Sequence, residues 1–202
     1  MRELTWPKLR RATNADCEPV RNLVFTVLGE YHLKPDPGCT DADLRDIEQS
    51  YFQRGGVFYV LEENNGSIIG SYGLYPIADC GLQIADSSSV GAGPRACPNG
   101  LMPCEGVGNH GGLPLRVPCS ASAICELRKM YLHRDYRGKG HGKWLLEHAL
   151  AEARRLGFKS VTLETASVLK EAIRLYERYG FQPCRPAHLS PRCDQAYILE
   201  LK

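Results

Sequence analysis

The chain has 202 residues and a mass of 22.5 kDa, a length that predicts one domain over residues 1–202. Hydrophobic residues make up 43% and charged residues 24%, which is typical of a globular protein and excludes a disordered or fibrous chain. A net charge of +2 is too small for a protein that binds nucleic acid by neutralising many phosphates. We therefore expect no nucleic-acid partner.

The distribution of apolar residues and cysteines predicts a cytoplasmic protein. No apolar stretch is long enough to cross a membrane, and the first residues lack the apolar segment of a secretory signal. Nine cysteines without such a signal favour free thiols in a reducing compartment over a disulfide framework. We expect no membrane partner, and a homodimer is compatible with the sequence.

Two helices are predicted in the first quarter of the chain. Apolar residues recur at helical spacing within residues 13–31. A second helix is predicted after Thr40, where Thr40 and Asp43 resemble a capping box, and it ends before Gly55.

The later segments predict a mixed α/β fold. Short β-branched and aromatic runs on either side of Asn64-Asn65-Gly66 predict a hairpin. A strand, a helix and a strand follow at 123–132, 140–156 and 160–165, then a helix at 168–180 and a closing strand at 196–201. The strand–helix–strand order requires a parallel crossover. We expect a mixed, mostly antiparallel central sheet with this parallel βαβ crossover, flanked by helices.

Residues 78–122 fit no periodic pattern and are predicted to be a flexible insertion between the third and fourth strands. Cysteines in or beside it, with one histidine, are numerous enough to bind zinc. They lack the close Cys-x₂₋₄-Cys spacing of a structural zinc site, so we expect no metal. A zinc-stapled interaction module stays an alternative. The residues concerned are Cys80, Cys97, Cys104, Cys119, Cys125 and His110.

The sequence RGKGHG at residues 137–142, here called the glycine loop, lies between a predicted strand and a predicted helix. Three alternate glycines let the backbone curl so that successive N–H groups point into one concavity at the positive end of the helix dipole. The spacing fits neither a P-loop nor the G-x-G-x-x-G dinucleotide motif. It predicts a site for a pyrophosphate.

Two motifs resemble those of the GCN5-related N-acetyltransferases, the GNAT superfamily. RGKGHG resembles the Q/R-x-x-G-x-G/A signature of that family. AIRLYERYGF, residues 172–181, resembles its A-x-x-L-Y-x-x-x-G-F element, and the order of predicted elements is similar. The resemblance implies the acyl-CoA N-acyltransferase fold and acetyl-CoA as cosubstrate. The family's asparagine, three residues before the alanine of the second motif, is replaced here by Leu169, so that contact is not carried over.

The resemblance also implies a set of coenzyme-binding residues. The pantetheine arm is expected along a splayed strand, and the phosphates on the glycine loop and the first turn of the helix. The bulge that opens this strand in the family is not visible in the sequence. The implied residues are Met130, Tyr131 and Leu132 for the arm, and Arg137, Gly138, Lys139, Gly140, His141, Gly142 and Lys143 for the phosphates.

Two further residues are implied to be catalytic. Glu126 is expected to accept a proton from the amine, and strand alternation predicts that Glu126, Arg128, Met130 and Leu132 share one face. The alternative for Glu126 is an ion pair with Arg128. Tyr176 is expected to donate a proton to the departing thiolate, and its alternative is a core tyrosine.

These inferences predict a cytoplasmic N-acetyltransferase that moves an acetyl group from acetyl-CoA to a primary amine by direct attack. The acceptor is expected to be a free amino acid, a small amine or a peptide N-terminus. The alternative is a catalytically silent acyl-CoA-binding sensor or docking module.

Overall fold

The computed structural model describes residues 7–77, 83–84, 124–186 and 188–202. The described strands are β1 (Lys8–Arg11), β2 (Val57–Glu62), β3 (Ile68–Ile77), β4 (Gln83–Ile84), β5 (Ile124–Leu132), β6 (Ser160–Thr165), β7 (Gln182–Arg185) and β8 (Gln195–Glu200). The described helices are α1 (Cys17–Glu30), α2 (Ile47–Ser50), α3 (His141–Arg155) and α4 (Lys170–Arg178). Short 3₁₀ turns lie at Asn14–Asp16, Ala42–Arg45, Phe52–Arg54 and Arg134–Tyr136.

These strands form one sheet in the order β1-β2-β3-β5-β6-β8-β7-β4. Strands β5 and β6 pair in parallel, and α3 is the crossover between them, whereas the other neighbouring strands pair antiparallel. The predicted mixed, mostly antiparallel sheet with one parallel crossover is therefore confirmed.

Apolar side chains cover both faces of the sheet. One buried cluster joins the sheet to α3 and α4 through residues such as Leu145, Leu150 and Phe181. A second cluster, which includes Val24, Ile47 and Phe58, lies under α1 and α2. The sheet therefore packs against helices on both of its faces.

The predicted second helix is wrong as a continuous element. Asp46 has an extended backbone (φ −149°, ψ 93°) that separates a 3₁₀ turn from the short helix α2. Its side chain accepts a hydrogen bond from the Gln49 N–H at 2.8 Å and so begins a new helix. Thr40 does not form the predicted box with Asp43, because the Thr40 N–H and hydroxyl both donate to Asp36.

The other boundaries differ little from the prediction. Helices α3 and α4 lie within the predicted 140–156 and 168–180 segments. The sequence pattern does not locate the short strands β1 and β7. The predicted insertion at 78–122 lies outside the described residues except for Gln83–Ile84, which pair with β7. Within the described ranges, no helix is long and apolar enough to span a membrane.

Candidate active site

A β-bulge interrupts the pairing of β3 with β5. Gly73 lies opposite Arg128, and Ser71 lies opposite Tyr131. The interval from 128 to 131 in β5 is therefore one residue longer than the interval from 71 to 73 that it faces in β3. Lys129 lies in this bulge and has a φ of +52°, a backbone conformation that is uncommon for residues other than glycine. The Ser71 hydroxyl donates to the Lys129 carbonyl oxygen at 2.8 Å and holds the bulge from the neighbouring strand.

The bulge corrects one prediction about the faces of β5. Glu126 and Arg128 lie on the face of their partners Tyr75 and Gly73, and Tyr131 joins that face through Ser71. Leu132 pairs with Gly70 on the opposite face, where it packs in the cluster beneath α3. The prediction that Met130 and Leu132 share a face with Glu126 is therefore wrong, because the bulge inserts one residue into the alternation and both pack in the other cluster.

Strands β5 and β6 part just after Glu126. Their parallel pairing runs from Ile124 to Glu126, opposite Ser160 to Thr162, and does not continue toward Leu132. The N–H and C=O groups on this side of residues 127–132 therefore have no ladder partner in β6. This is the splay that the resemblance implies, and the bulge lies within it.

The glycine loop lies at the N-terminus of α3. Gly138 and Gly140 have φ values of +74° and +89°, and Gly140 caps the helix without a side-chain hydrogen bond. The first-turn N–H groups have no partner within the helix. No atom lies within 4 Å of a Cβ built on either glycine, so the loop faces open space. A pyrophosphate fits this arrangement, because the loop offers backbone donors at a helix N-terminus.

Arg137 anchors the loop to the rest of the fold. Its Nε donates to the Leu132 carbonyl oxygen at 3.0 Å, and Nη1 donates to the Tyr31 hydroxyl at 3.2 Å. Nη2 lies 2.8 Å from Glu30 Oε2. The guanidinium thus ties the end of β5 to the end of α1.

One cleft of about 880 Å³ joins the splay to the glycine loop. Both predicted catalytic residues line it, as do most of the predicted coenzyme-binding residues. Lys139 and His141 are the two that do not. The predicted residues that line it are Glu126, Met130, Tyr131, Leu132, Arg137, Gly138, Gly140, Gly142, Lys143 and Tyr176.

The Glu126 carboxylate is paired on one side. Its Oε2 accepts from Arg128 Nε at 2.7 Å and lies 2.5 Å from Arg128 Nη2. The Arg128 guanidinium also stacks 4.1 Å above the centre of the Tyr75 ring. Oε1 makes no hydrogen bond or ion pair with any residue that the structure describes. Burial raises the pKa of the Glu126 carboxyl, and the nearby Arg128 charge opposes this only in part.

Tyr176 is both a core residue and a residue of the cleft. It is buried, and its ring packs 5.7 Å from the centre of the Phe181 ring. Its hydroxyl lies 3.9 Å from the Met130 sulfur, which is a weak acceptor. Burial raises the pKa of the phenol, so it is protonated at neutral pH and able to donate.

Comparison with known proteins identifies the family. A model of the acetyltransferase (GNAT) family matches residues 22–181. The chain belongs to this family. The Escherichia coli protein YjgM, named as an uncharacterized N-acetyltransferase, is 33% identical over 178 residues, which are 87% of this chain and 82% of that protein. The mouse protein named probable N-acetyltransferase family 8 member 5 is 27% identical over 71% of this chain and 46% of its own length.

Solved structures agree on the GNAT fold. A GNAT-family acetyltransferase from Staphylococcus aureus matches with a TM-score of 0.70 at 18% identity, covering 96% of this chain and 99% of that one. The Salmonella typhimurium protein yncA, solved with its cofactor acetyl-CoA, matches with a TM-score of 0.55 at 20% identity, covering 98% and 95%. The predicted family, the fold and an acetyltransferase activity are confirmed.

Several residues at this GNAT cleft are not predictable from the sequence. Asp41, Lys129 and Arg192 form a buried cluster beside it. Glu164 accepts hydrogen bonds from the Ser190 N–H and hydroxyl, and it raises the pKa of Glu126 through its charge. No local motif marks these residues, because each acquires its partners from a distant part of the chain.

Proposed function

We propose that this GNAT protein transfers an acetyl group from acetyl-CoA to a primary amine by direct attack. The observation that carries the proposal is the placement of Glu126 and Tyr176 in one cleft with the splay of β5 and the glycine loop. Acetyl-CoA supplies the acetyl group as a thioester. Its phosphates would bind residues 137–143, and its amide-containing arm would pair with the open edge of residues 130–132.

Glu126 is proposed to accept the proton of the incoming amine. A free alkyl amine has a pKa of roughly 10 and is mostly protonated at neutral pH, so a base is needed. Burial shifts the pKa of Glu126 upward, toward the range in which a carboxylate accepts protons efficiently. Arg128 holds only Oε2, so the ion pair orients the carboxylate while Oε1 is left for the amine.

Tyr176 is proposed to donate to the thiolate that forms when the thioester breaks. Its hydroxyl projects toward Met130 on the open strand, where the arm would lie. Because burial keeps the phenol protonated, it can donate without a prior change of charge state.

The acceptor is proposed to enter at the end of the cleft remote from the glycine loop. This acceptor end is lined by Glu126 and by residues of two loops, 39–43 and 190–193. A small amine, a free amino acid or a peptide N-terminus suits a cleft of about 880 Å³ shared with the coenzyme arm.

Direct attack is supported by the state of the cysteine at this end. Burial raises the pKa of the Cys193 thiol to about 11, which keeps it protonated and weakly nucleophilic. Cys39 also lines the cleft, on an exposed position of its loop. A Cys39→Ser, Cys193→Ser double variant should keep its activity if no acyl-enzyme forms.

The deciding experiment is an acetyl-CoA consumption screen against a panel of primary amines, with the acetylated product identified by mass. Turnover with at least one amine, lost in Glu126→Gln and retained in Glu177→Gln, is expected. Glu177 is an exposed acid on α4 outside the cleft lining. Tight binding of acetyl-CoA without turnover on any amine would instead indicate a coenzyme sensor.

A further inference from the structure

Three charged side chains form a buried cluster behind the acceptor end, here called the charge clamp: Asp41, Lys129 and Arg192. The two terminal nitrogens of Arg192 donate to the two Asp41 carboxylate oxygens, each at 2.6 Å. Lys129 Nζ donates to Asp41 Oδ1 at 2.7 Å and to the Thr40 carbonyl oxygen at 2.7 Å. The side chains of Asp41, Lys129 and Arg192 are 0%, 4% and 12% exposed.

A second acid, Asp43, balances the charges of the clamp. Asp43 Oδ1 lies 3.3 Å from Lys129 Nζ, and Asp43 Oδ2 accepts from the buried Tyr51 hydroxyl at 2.5 Å. Two acids therefore face two cations. Burial alone would raise the pKa of Asp41, but the Arg192 hydrogen bonds and the Lys129 charge lower it to about 2. Removing one partner of such a group leaves a buried charge without its match.

The clamp connects three segments that are far apart in the chain. Asp41 belongs to a loop that closes on itself, since its Oδ2 accepts from the Asp36 N–H at 2.9 Å. Lys129 is the bulge residue of β5, and Arg192 lies in the loop before β8. Lys129 and Arg192 line the cleft themselves, together with loop neighbours such as Thr40 and Cys193, whereas Asp41 does not line it.

We propose that Asp41, Lys129 and Arg192 are positioning residues that fix the two acceptor-end loops against the β5 bulge and so set how tightly the acceptor amine binds. The kinetic part of this inference rests on the proposed function. Glu126 lies three residues before Lys129 on the same strand, so the clamp also fixes the distance from these loops to the proposed base. Within the described residues, no hydrogen bond or ion pair joins the glycine loop to the charge clamp. Phosphate binding at the glycine loop should therefore not depend on the clamp.

The kinetic test uses Arg192→Met, with Arg192→Lys as the conservative variant. Arg192→Met should raise the KM of the acceptor by about tenfold, because displacement of the two acceptor-end loops weakens acceptor binding. The Kd of acetyl-CoA should stay within about twofold, since the glycine loop proposed to bind its phosphates has no hydrogen bond or ion pair with the clamp within the described residues. Arg192→Lys keeps the charge without the two parallel bonds and should give an intermediate KM. Arg174→Met on the exposed face of α4 is the control for loss of an arginine.

Asp41→Asn separates positioning from direct contact, because Asp41 does not line the cleft. The clamp predicts that a folded Asp41→Asn variant raises the acceptor KM at least as much as Arg192→Met. If Asp41→Asn leaves this KM unchanged while Arg192→Met raises it, Arg192 binds the acceptor directly and the inference is wrong.

Hydrogen exchange of Arg192→Met gives a second test that needs neither activity nor an acceptor. Arg192 is 151 residues from Asp41 in the chain and is joined to the loop at 36–43 by its two hydrogen bonds to Asp41. Exchange of the amides in that loop should become at least about fivefold faster, as expected when a local restraint is lost. Unchanged exchange there would overturn the inference even if no substrate amine is ever found, and faster exchange without turnover would fault only the proposed function.

Discussion

At the glycine loop the chain presents backbone N–H groups, whereas at the acceptor end it presents charged side chains that are already paired with one another. Gly138 and Gly140 supply the loop with positive φ angles, and no side chain fills the space above them. At the other end, Glu126 is held by Arg128 and Asp41 by Arg192. The first surface suits any ligand that carries a pyrophosphate, and the second is shaped by contacts between charged side chains.

This difference distinguishes the end of the cleft proposed to bind acetyl-CoA from the end proposed to bind the acceptor. A loop of backbone donors can bind phosphates whatever side chains it carries, because its geometry depends on φ angles more than on side-chain identity. Paired side chains instead fix loop positions, so substitutions there should alter acceptor use while acetyl-CoA still binds.

The largest effect is expected from Gly140→Val. A β-branched residue at a φ of +89° is strained, and its side chain occupies the space above the loop. The Kd of acetyl-CoA should rise by about 100-fold or more, because the first-turn donors lose their alignment. Isothermal titration calorimetry on the folded variant measures this.

Gly157→Val is a matched control for that substitution. Gly157 has a φ of +85° and also has no atom within 4 Å of a built Cβ, but it follows α3 and lies outside the cleft lining. Both variants should lose similar thermal stability, and only Gly140→Val should lose acetyl-CoA affinity. Equal acetyl-CoA affinities in the two variants would show that the glycine loop is not part of the coenzyme site.

The next largest effect is expected from Glu126→Gln. Its kcat should fall by about 10² to 10³, as for loss of a general base, while the Kd of acetyl-CoA changes little. Gln keeps an oxygen that can accept from Arg128, so the ion-pair site is disturbed less than by an alanine. A wild-type rate in this variant would show that Glu126 is not the base and that its role is the ion pair with Arg128.

The pH profile gives the sign of the Glu126 effect. A base acts when it is deprotonated, so kcat/KM of the wild type should fall as the pH drops through the pKa of Glu126. Because burial raises this pKa, the fall should begin at a higher pH than for an exposed glutamate. In Glu126→Gln this limb should be absent, and the rate should rise with pH as the amine loses its proton unaided.

A smaller effect is expected from Tyr176→Phe. A thiolate is a good leaving group at neutral pH, so loss of the donor should lower kcat by only about tens-fold, below the range of about 10² to 10⁴ for general acid–base catalysis. Acetyl-CoA should bind as before. Within the described part of the chain, the hydrogen-bond partner of the hydroxyl is the weakly accepting Met130 sulfur, so the free energy of unfolding should change by less than about 1 kcal/mol. A less stable but fully active variant would make Tyr176 a core residue alone.

Features that depend on local conformation were predictable from the sequence. The glycines of the loop need positive φ, and this requirement is visible as a residue type. The crossover follows from the order of a strand, a helix and a strand, which permits few arrangements.

Features that depend on distant partners were not predictable in this way. Lys129 has a positive φ without being glycine, and its conformation is held by Ser71 and Asp41 from other elements. The bulge therefore left no sign in the strand, and the face of Leu132 was predicted wrongly. In the same way, Glu126 and Tyr176 were found through a family resemblance, whereas the clamp has no motif to reveal it.

The smallest effect is expected from Lys143→Met, which tests whether side-chain charge contributes at the backbone-built end. Lys143 lines the cleft in the first turn of α3, and its side chain is 64% exposed, with its ammonium 3.8 Å from Glu147. An exposed charge near phosphates is screened, so the Kd of acetyl-CoA should rise only about three- to fivefold at low salt. This difference should shrink at high salt, while that of Gly140→Val persists, because backbone alignment is not screened. Lys159→Met, an exposed lysine beyond α3, removes the same charge away from the cleft and should have no effect. A loss as large as that of Gly140→Val would show that the phosphate end, like the acceptor end, depends on a charged side chain.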